Sequence, residues 1–206
     1  MLDFESLDLS AEEMDRLRQI YEPLAKAVRE LVDATIRTEV DEATIAEVTA
    51  QVDDATARLR RKQLEGAFGV RYNADRQSMA WGNAAIGVRN AIAPPLVTHH
   101  EPSGLAWAEF TLGAAYEGPP GHVHGGVCAL VLDHMLGESA SDPARPALTG
   151  TITLRYLRAT RLGPLRAEAE VERTEGAKVF AVGRLLDEQG VTVEAQGVFV
   201  VPKWAR

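Results

Sequence analysis

EGPPGHVHGGVCALVLDHMLG, residues 117–137, is the stretch whose reading decides the fold. From Gly125 on it is an apolar run of helical length, and in its middle stands one carboxylate, Asp133. A helix without a polar face belongs in a domain core, and an unpaired buried carboxylate costs several kcal/mol unless something satisfies or uses it. The approach is equally pointed. Pro119 and Pro120 stiffen the loop, Gly118 and Gly121 turn it, His122 and His124 flank Val123, and Gly125–Gly126 open the helix with bare backbone N–H groups. Such groups attract partial negative charge, for instance that of a polarised carbonyl oxygen.

Working outward, the helix has strand-like runs on both sides. Before it come Leu96 to His100, a turn at Glu101–Gly104, and Leu105 to Leu112, where Trp107, Glu109 and Thr111 alternate with Ala106, Ala108, Phe110 and Leu112. The helix should stop before Pro143. Four runs follow: Leu148 to Thr160, Leu165 to Thr174, Lys178 to Asp187 and Val191 to Val201, separated by the turns Gly163-Pro164, Glu175-Gly176 and Glu188–Gly190. In the second of these Leu165, Ala167, Ala169 and Val171 alternate with Arg166, Glu168, Glu170 and Glu172, the pattern of a sheet with one buried and one wet face. Two strands, one apolar helix and a four-strand meander predict an α+β domain over residues 94–206, an antiparallel sheet wrapped around a central helix.

Further out, the first 66 residues have helical spacing. Ser10 with Glu13 reads as a capping box, and Leu17, Ile20, Leu24, Val28, Leu31 and Val32 recur along the helix, with Pro23 expected to bend or restart it. A second helix is predicted from about Asp41, capped by Thr44 with Glu47, with the stripe Ile45, Val48, Val52, Ala55 and Leu59. These two helices are read as an N-terminal hairpin, residues 1–66, that packs on the following domain or on a partner subunit. Residues 67–93 show no clear period and are read as a connecting segment.

Composition narrows the setting. The chain has 206 residues, 46% hydrophobic and 25% charged, ordinary globular material. A net charge of −8 argues against a nucleic-acid surface. No apolar run reaches the length of a membrane span, and the opening MLDFESLDLSAEEMD lacks the basic and apolar regions of a signal peptide. With Cys128 as the one cysteine, a cytoplasmic location is expected.

The order of elements resembles the hotdog fold, and the resemblance becomes specific at His124-Gly125-Gly126 followed by Asp133. This looks like the HGG signature and helix acid of the phenylacetate-pathway (PaaI-like) and Them-type acyl-CoA thioesterases. APPL at residues 93–96, AYEGPPGHVHGG at 115–126 and TGTITLRYLRATRLGPL at 149–165 are similar to that family too, so the likeness covers about half the chain, Pro94 to Pro202. It implies hydrolysis of an acyl-CoA to a free acid and coenzyme A, with coenzyme A as part of the substrate and with no cofactor or metal. By position, Asp133 is implied as the acid that activates water or attacks the thioester. The N–H of Gly125 or Gly126 would polarise the carbonyl, and Thr149 would assist from the next strand. His124 is read as fixing the loop by hydrogen bonding ahead of carrying protons, and Val123 beside it as a substrate contact. Some Them-type relatives carry Asn or Gln where Gly118 stands here.

Arg155, Arg158 and Arg161 suit the phosphates of coenzyme A, although strand arginines commonly just face water. Cys128 reads as a small core residue. A metal held by His122, His124, Asp133 and His134 is not expected, because a helix turns Asp133 and His134 about 100° apart.

Spacing also bears on assembly. Gly126 and Asp133 are seven residues apart, about 10 Å along a helix, too far to handle one thioester together. Two helices antiparallel across a twofold axis bring the glycine turn of one copy to the aspartate of the other. A homodimer with shared sites, alone or as a dimer of dimers, is therefore expected, its sheets joined edge to edge. The competing readings are a hotdog hydratase or dehydratase, and a non-catalytic acyl-CoA-binding regulator on the same fold.

Overall fold

The computed structural model describes residues 5–75, 77–142 and 145–205. The chain divides into two compact units, Met1–Asn83 with Gly87–Ile92, and Ala84–Ile86 with Ala93–Arg206.

The first unit is built on α1 (Ala11–Arg37) and α2 (Glu42–Leu59). Ser10 caps α1 in the expected box: its hydroxyl accepts from Glu13 N at 3.2 Å and its own N–H donates to the Glu13 carboxylate at 2.8 Å. Of the two outcomes expected at Pro23, a bend or a restart, the restart does not occur: α1 runs through it as one helix. A proline removes one backbone donor, and the surrounding turns suffice to carry the helix past it. The cap of α2 lies one turn earlier than predicted. Asp41, not Thr44, accepts from a first-turn amide, that of Thr44, at 2.9 Å. Ala25 is the buried residue of α1, whereas α2 buries none. The segment without sequence period supplies β2 (Arg71–Tyr72) and β3 (Ser78–Met79), which form a small three-stranded sheet with β1 (Glu5–Ser6) from the start of the chain. Trp81 anchors it, stacked on Phe68 at 6.0 Å and tilted against Tyr21 at 6.4 Å.

The second unit is a six-stranded antiparallel sheet in the order β4-β5-β7-β8-β9-β6, with α3 (Gly125–Ala140) packed on one face. Its strands are β4 (His99–His100), β5 (Ala106–Leu112), β6 (Leu148–Tyr156), β7 (Gly163–Glu175), β8 (Lys178–Asp187) and β9 (Gly190–Val200). The alternation read in β5 holds: Ala106, Ala108, Phe110 and Leu112 are buried and Trp107, Glu109 and Thr111 are not. This is the hotdog arrangement, a sheet wrapped around a central helix.

The wall that faces α3 carries many small residues, Ala108, Ala167, Ala169, Ala181 and Ala195, with Gly183 and Gly197 where Leu136 comes down, and the larger Phe199 against Gly137. A Cβ at Gly183 would sit 2.9 Å from the Glu168 carbonyl oxygen and 3.3 Å from Leu136. Val131, Leu132, Met135 and Leu136 lie fully buried against this wall. On the wet face Glu168 is nonetheless buried. Burial pushes its carboxyl up, but hydrogen bonds from Arg166 and Arg184 outweigh that and hold it below the usual range.

Two strands are shorter than predicted. Leu96 to Thr98 stay outside the sheet because Pro94 and Pro95 lead into a tight turn, Leu96 N to Pro94 O at 2.7 Å, leaving His99–His100 to pair with β5. β6 ends at Tyr156 because the amides of Leu157 and Arg158 both converge on the Thr192 carbonyl. Among the described residues no helix is long and apolar enough to cross a membrane.

Candidate active site

The glycine turn is held from several directions. His124 is the N-cap of α3, and its Nδ1 accepts the Gly126 N–H at 3.0 Å. The His124 carbonyl accepts from Val127 and Cys128. Tyr156, reaching from β6, donates its hydroxyl to the Gly125 carbonyl at 2.8 Å. The Gly125–Gly126 peptide is therefore clamped at both its oxygen and its N–H. One first-turn donor is left over. Among the described residues no acceptor is found for the Gly125 N–H, whose peptide is fixed through the doubly bonded His124 carbonyl. Of the two glycines, Gly125 has the available donor and Gly126 does not.

The loop before the turn is closed on itself. Gly118 N donates to His122 O, His124 N to Tyr116 O and Val123 N to Thr160 O, each at 2.9 Å, and the Glu117 side chain accepts from Gly121 N at 2.6 Å. Gly118 is required by contact: a Cβ there would lie 2.7 Å from His124 Cα. The loop has no room for a side chain at this position. Val123 is buried in the core, and what it offers the loop is its backbone.

Asp133 lies on the side of α3 turned away from the small-residue wall, and Thr149 Oγ1 donates to its Oδ1 at 2.9 Å. Thr149 sits at a register shift of β6 against β9, between Thr149 and Thr151. The carboxylate was expected to be buried, but in the single chain it is only half-buried. The physical reason is that β6 is an edge strand whose residues are largely exposed, with no further strand of its sheet beyond it among the described residues. His134 turns away from Asp133, as the helical angle requires. It lies 3.5 Å from Glu138, which also faces His100 at 3.3 Å. Burial holds the His134 imidazole below its usual value, against the opposing pull of Glu138 and Asp133.

The comparisons with known proteins fall on this same region. A family model described as the thioesterase superfamily matches residues 120–194, which include the glycine turn, Asp133 and Thr149. A crystal structure of a thioesterase superfamily protein is 31% identical with a TM-score of 0.77, covering 87% of this chain and 94% of that one. The chain belongs to the thioesterase superfamily.

Curated relatives of this superfamily member include acyl-coenzyme A thioesterase THEM4 of Xenopus laevis, 32% identical over 94 residues, or 44% of this chain and 42% of that protein. Acyl-coenzyme A thioesterase THEM5 of Mus musculus is 23% identical over 140 residues, 66% of this chain and 56% of that protein. The chain spans about half the length of the curated relatives it matches.

Of the three arginines proposed for the substrate of this thioesterase-superfamily chain, Arg158 and Arg161 meet at Asp187, the latter through its backbone N–H at 3.4 Å, whereas Arg155 does not. Arg158 grips Asp187 with both guanidinium nitrogens and donates to Gly190 O at 2.8 Å. These hydrogen bonds hold the Asp187 carboxyl down at about 2. Arg155 faces Glu194 at 3.7 Å on the exposed surface. Arg161 is exposed, and its backbone bridges to His122. Sequence reasoning missed Tyr156, which lies within the family-like stretch 149–165 but meets the glycine turn across 31 residues of chain, a distance no local spacing shows. It also missed the buried hydroxyl chain behind the turn, in which Cys128 Sγ, Thr160 Oγ1, Thr192 Oγ1 and Leu185 O are linked in series.

Proposed function

We propose that the protein is an acyl-CoA thioesterase in which Asp133 of one copy and the Gly125 N–H of a second copy act on one thioester. The observation that carries the reading is the pairing of an unspent first-turn amide at Gly125 with a hydroxyl-bound, half-exposed carboxylate at Asp133, both on α3. Eight residues of helix separate them, about 12 Å along the axis, so they act together only across a twofold axis. The exposed edge strand β6, with Leu148 and Tyr156 open to solvent, supplies the surface for that pairing.

In this mechanism Asp133 takes a proton from water as the water oxygen bonds to the thioester carbon. The carbonyl electron pair moves onto oxygen, where the Gly125 N–H receives it. A preorganised donor of this kind lowers the barrier by roughly 3 to 4 kcal/mol. When the oxygen pair returns, the carbon–sulfur bond breaks, and the coenzyme A sulfur leaves with the proton from Asp133. Thr149 holds the carboxylate by one oxygen and leaves the other for water. The alternative path through an acyl anhydride on Asp133 uses the same groups. Single turnover with enzyme in excess in ¹⁸O-water distinguishes direct attack from an anhydride that water opens at the Asp133 carbonyl: the first leaves one labelled oxygen in the product, the second leaves none and places the label in Asp133.

The test of the function itself is thiol release by the purified protein from acyl-CoAs of short, long and aromatic acyl groups. Release matched by equimolar free acid is expected for at least one of them. Binding of acyl-CoA without release from any would refute the hydrolase reading and leave a binding protein.

A further inference from the structure

The helix α2 presents a straight apolar seam that its own chain leaves uncovered. Ile45, Val48, Val52 and Leu59 are 44%, 39%, 37% and 55% exposed, Ala55 is exposed between them, and the helix buries no residue. Their spacings of three, four, three and four residues are those of the seam of a two-helix coiled coil. Large apolar side chains in such a line, on a helix with polar residues elsewhere, mark a contact surface.

What fits the seam is written in the seam. Read backwards about Val52 its apolar layers match to within one residue: Ile45 falls opposite Leu59, Val52 opposite Val52, and Val48 one residue, about 1.5 Å, from Ala55. The ends carry opposite charge, with Glu42 three residues before Ile45 and Lys62 three residues after Leu59, both exposed. Asp41 adds to the first end, and Arg58, Arg60 and Arg61 to the second. A copy of this helix running antiparallel meets each apolar residue with another, sets Glu42 against Lys62 at both ends, and opposes the two helix dipoles. A parallel copy would instead set like charges together at each end. We infer that α2 is a self-association arm that pairs antiparallel with α2 of a second copy of this chain, centred on Val52. This inference stands independently of the reaction proposed above, because none of its residues belongs to the catalytic unit.

The seam is short, about 21 Å from Ile45 to Leu59, so cross-linking in the full-length protein is a sharper test than dissociation. Cys128 is 2% exposed, which leaves the wild-type chain as a blank. Under diamide, Val52→Cys should form a disulfide-linked dimer at least tenfold faster than Ala50→Cys, which lies off the seam. Ile45→Cys mixed with Leu59→Cys should yield the mixed dimer in preference to either homodimer. Glu42→Lys should slow cross-linking at Val52→Cys, and adding Lys62→Glu in the same chain should restore it. Homodimers of Ile45→Cys and of Leu59→Cys would overturn the antiparallel register. Equal rates for Val52→Cys and Ala50→Cys, or no cross-link at either, would overturn the arm altogether, and all of these outcomes are readable whether or not the protein hydrolyses any acyl-CoA.

Discussion

The Tyr156 hydroxyl donates to the Gly125 carbonyl at 2.8 Å, tying the edge strand β6 to the first turn of α3. The bond is made by a half-exposed side chain, so its worth lies in aim more than in stability. Tyr156→Phe keeps the ring and removes the bond, a change of about 0.5–1.5 kcal/mol. The expected result is a two- to tenfold fall in kcat with KM nearly unchanged and the thermal midpoint lowered by no more than about 2–4 °C, read by steady-state thiol release and a melting scan. A fall in midpoint that tracks the fall in kcat would make Tyr156 a general stabiliser and not a positioning residue.

Asp133→Asn preserves shape and still accepts the Thr149 hydrogen bond, but it takes up no proton. Turnover should drop at least a hundredfold, the usual size of an acid–base contribution, while acyl-CoA binding measured by calorimetry is retained. Wild-type turnover in this variant would remove Asp133 from the mechanism.

Thr149→Ser retains the hydroxyl that meets Asp133 at 2.9 Å, and Thr149→Val discards it at constant shape. The serine variant should work within about twofold of the parent and the valine variant at roughly a tenth of it, following the cost of one hydrogen bond to a charged group. Equal rates for the two would show that the hydroxyl is idle.

A shared site can be rebuilt from two broken ones. Gly125→Pro deletes the available N–H at a first-turn position where proline suits the helix. Mixed in equal amounts with Asp133→Asn chains, it should regain about a quarter of wild-type activity, since half the dimers are hybrids with one intact site of two. No recovery, with subunit exchange shown by mass spectrometry, would place both groups on one chain.

The Arg158–Asp187 clasp gives a prediction in pH. The Asp187 side chain is 3% exposed and its carboxyl is held at about 2, against an unfolded value of roughly 3.9. A depressed carboxylate stabilises the fold above the unfolded value, and that stability is lost as the pH falls from about 4 through 2. The contribution at neutral pH is on the order of 2 kcal/mol. Asp187→Asn should therefore melt several degrees lower at pH 7 and show a flatter decline between pH 4 and 2 than the parent. Identical acid limbs would show that the pair is inert. Because Arg158 is already occupied, the same variant should leave KM for acyl-CoA within about twofold if Arg155 and Arg161 are the arginines that meet the substrate.

The central helix and its glycine start were legible because their signal is local: an unbroken apolar run, a capping histidine, two glycines and one misplaced acid. The alternation in β5 was legible for the same reason, but that in β7 holds only in part: Glu168 is buried between two arginines, and Val171, next to a register shift, is exposed. What the sequence hid depends on distance. Tyr156 reaches Gly125, and Arg158 reaches Asp187, across about thirty residues of chain, and neither pair has a spacing that announces it. The half-exposure of Asp133 was hidden because burial depends on what covers β6, which one chain does not specify. The cap of α2 was misread by one turn because Asp41 and Thr44 are both competent caps, and the choice falls to whichever residue leaves the helical path first.

The alanine and glycine wall beneath α3 has a consequence for how the reacting groups keep their places. At Gly183 and Gly197 the sheet offers Leu136 no side chain to lock against, so the lengthwise setting of α3 draws also on its ties: the His124 cap at one end and the Thr149–Asp133 hydrogen bond further along. The carboxylate thus indexes the helix against the sheet as well as serving the reaction. A methyl group added at Gly183, on the far side of the helix from Asp133, would press on Leu136 and tilt that index, moving the reacting atoms out of line while every one of them remained in the sequence.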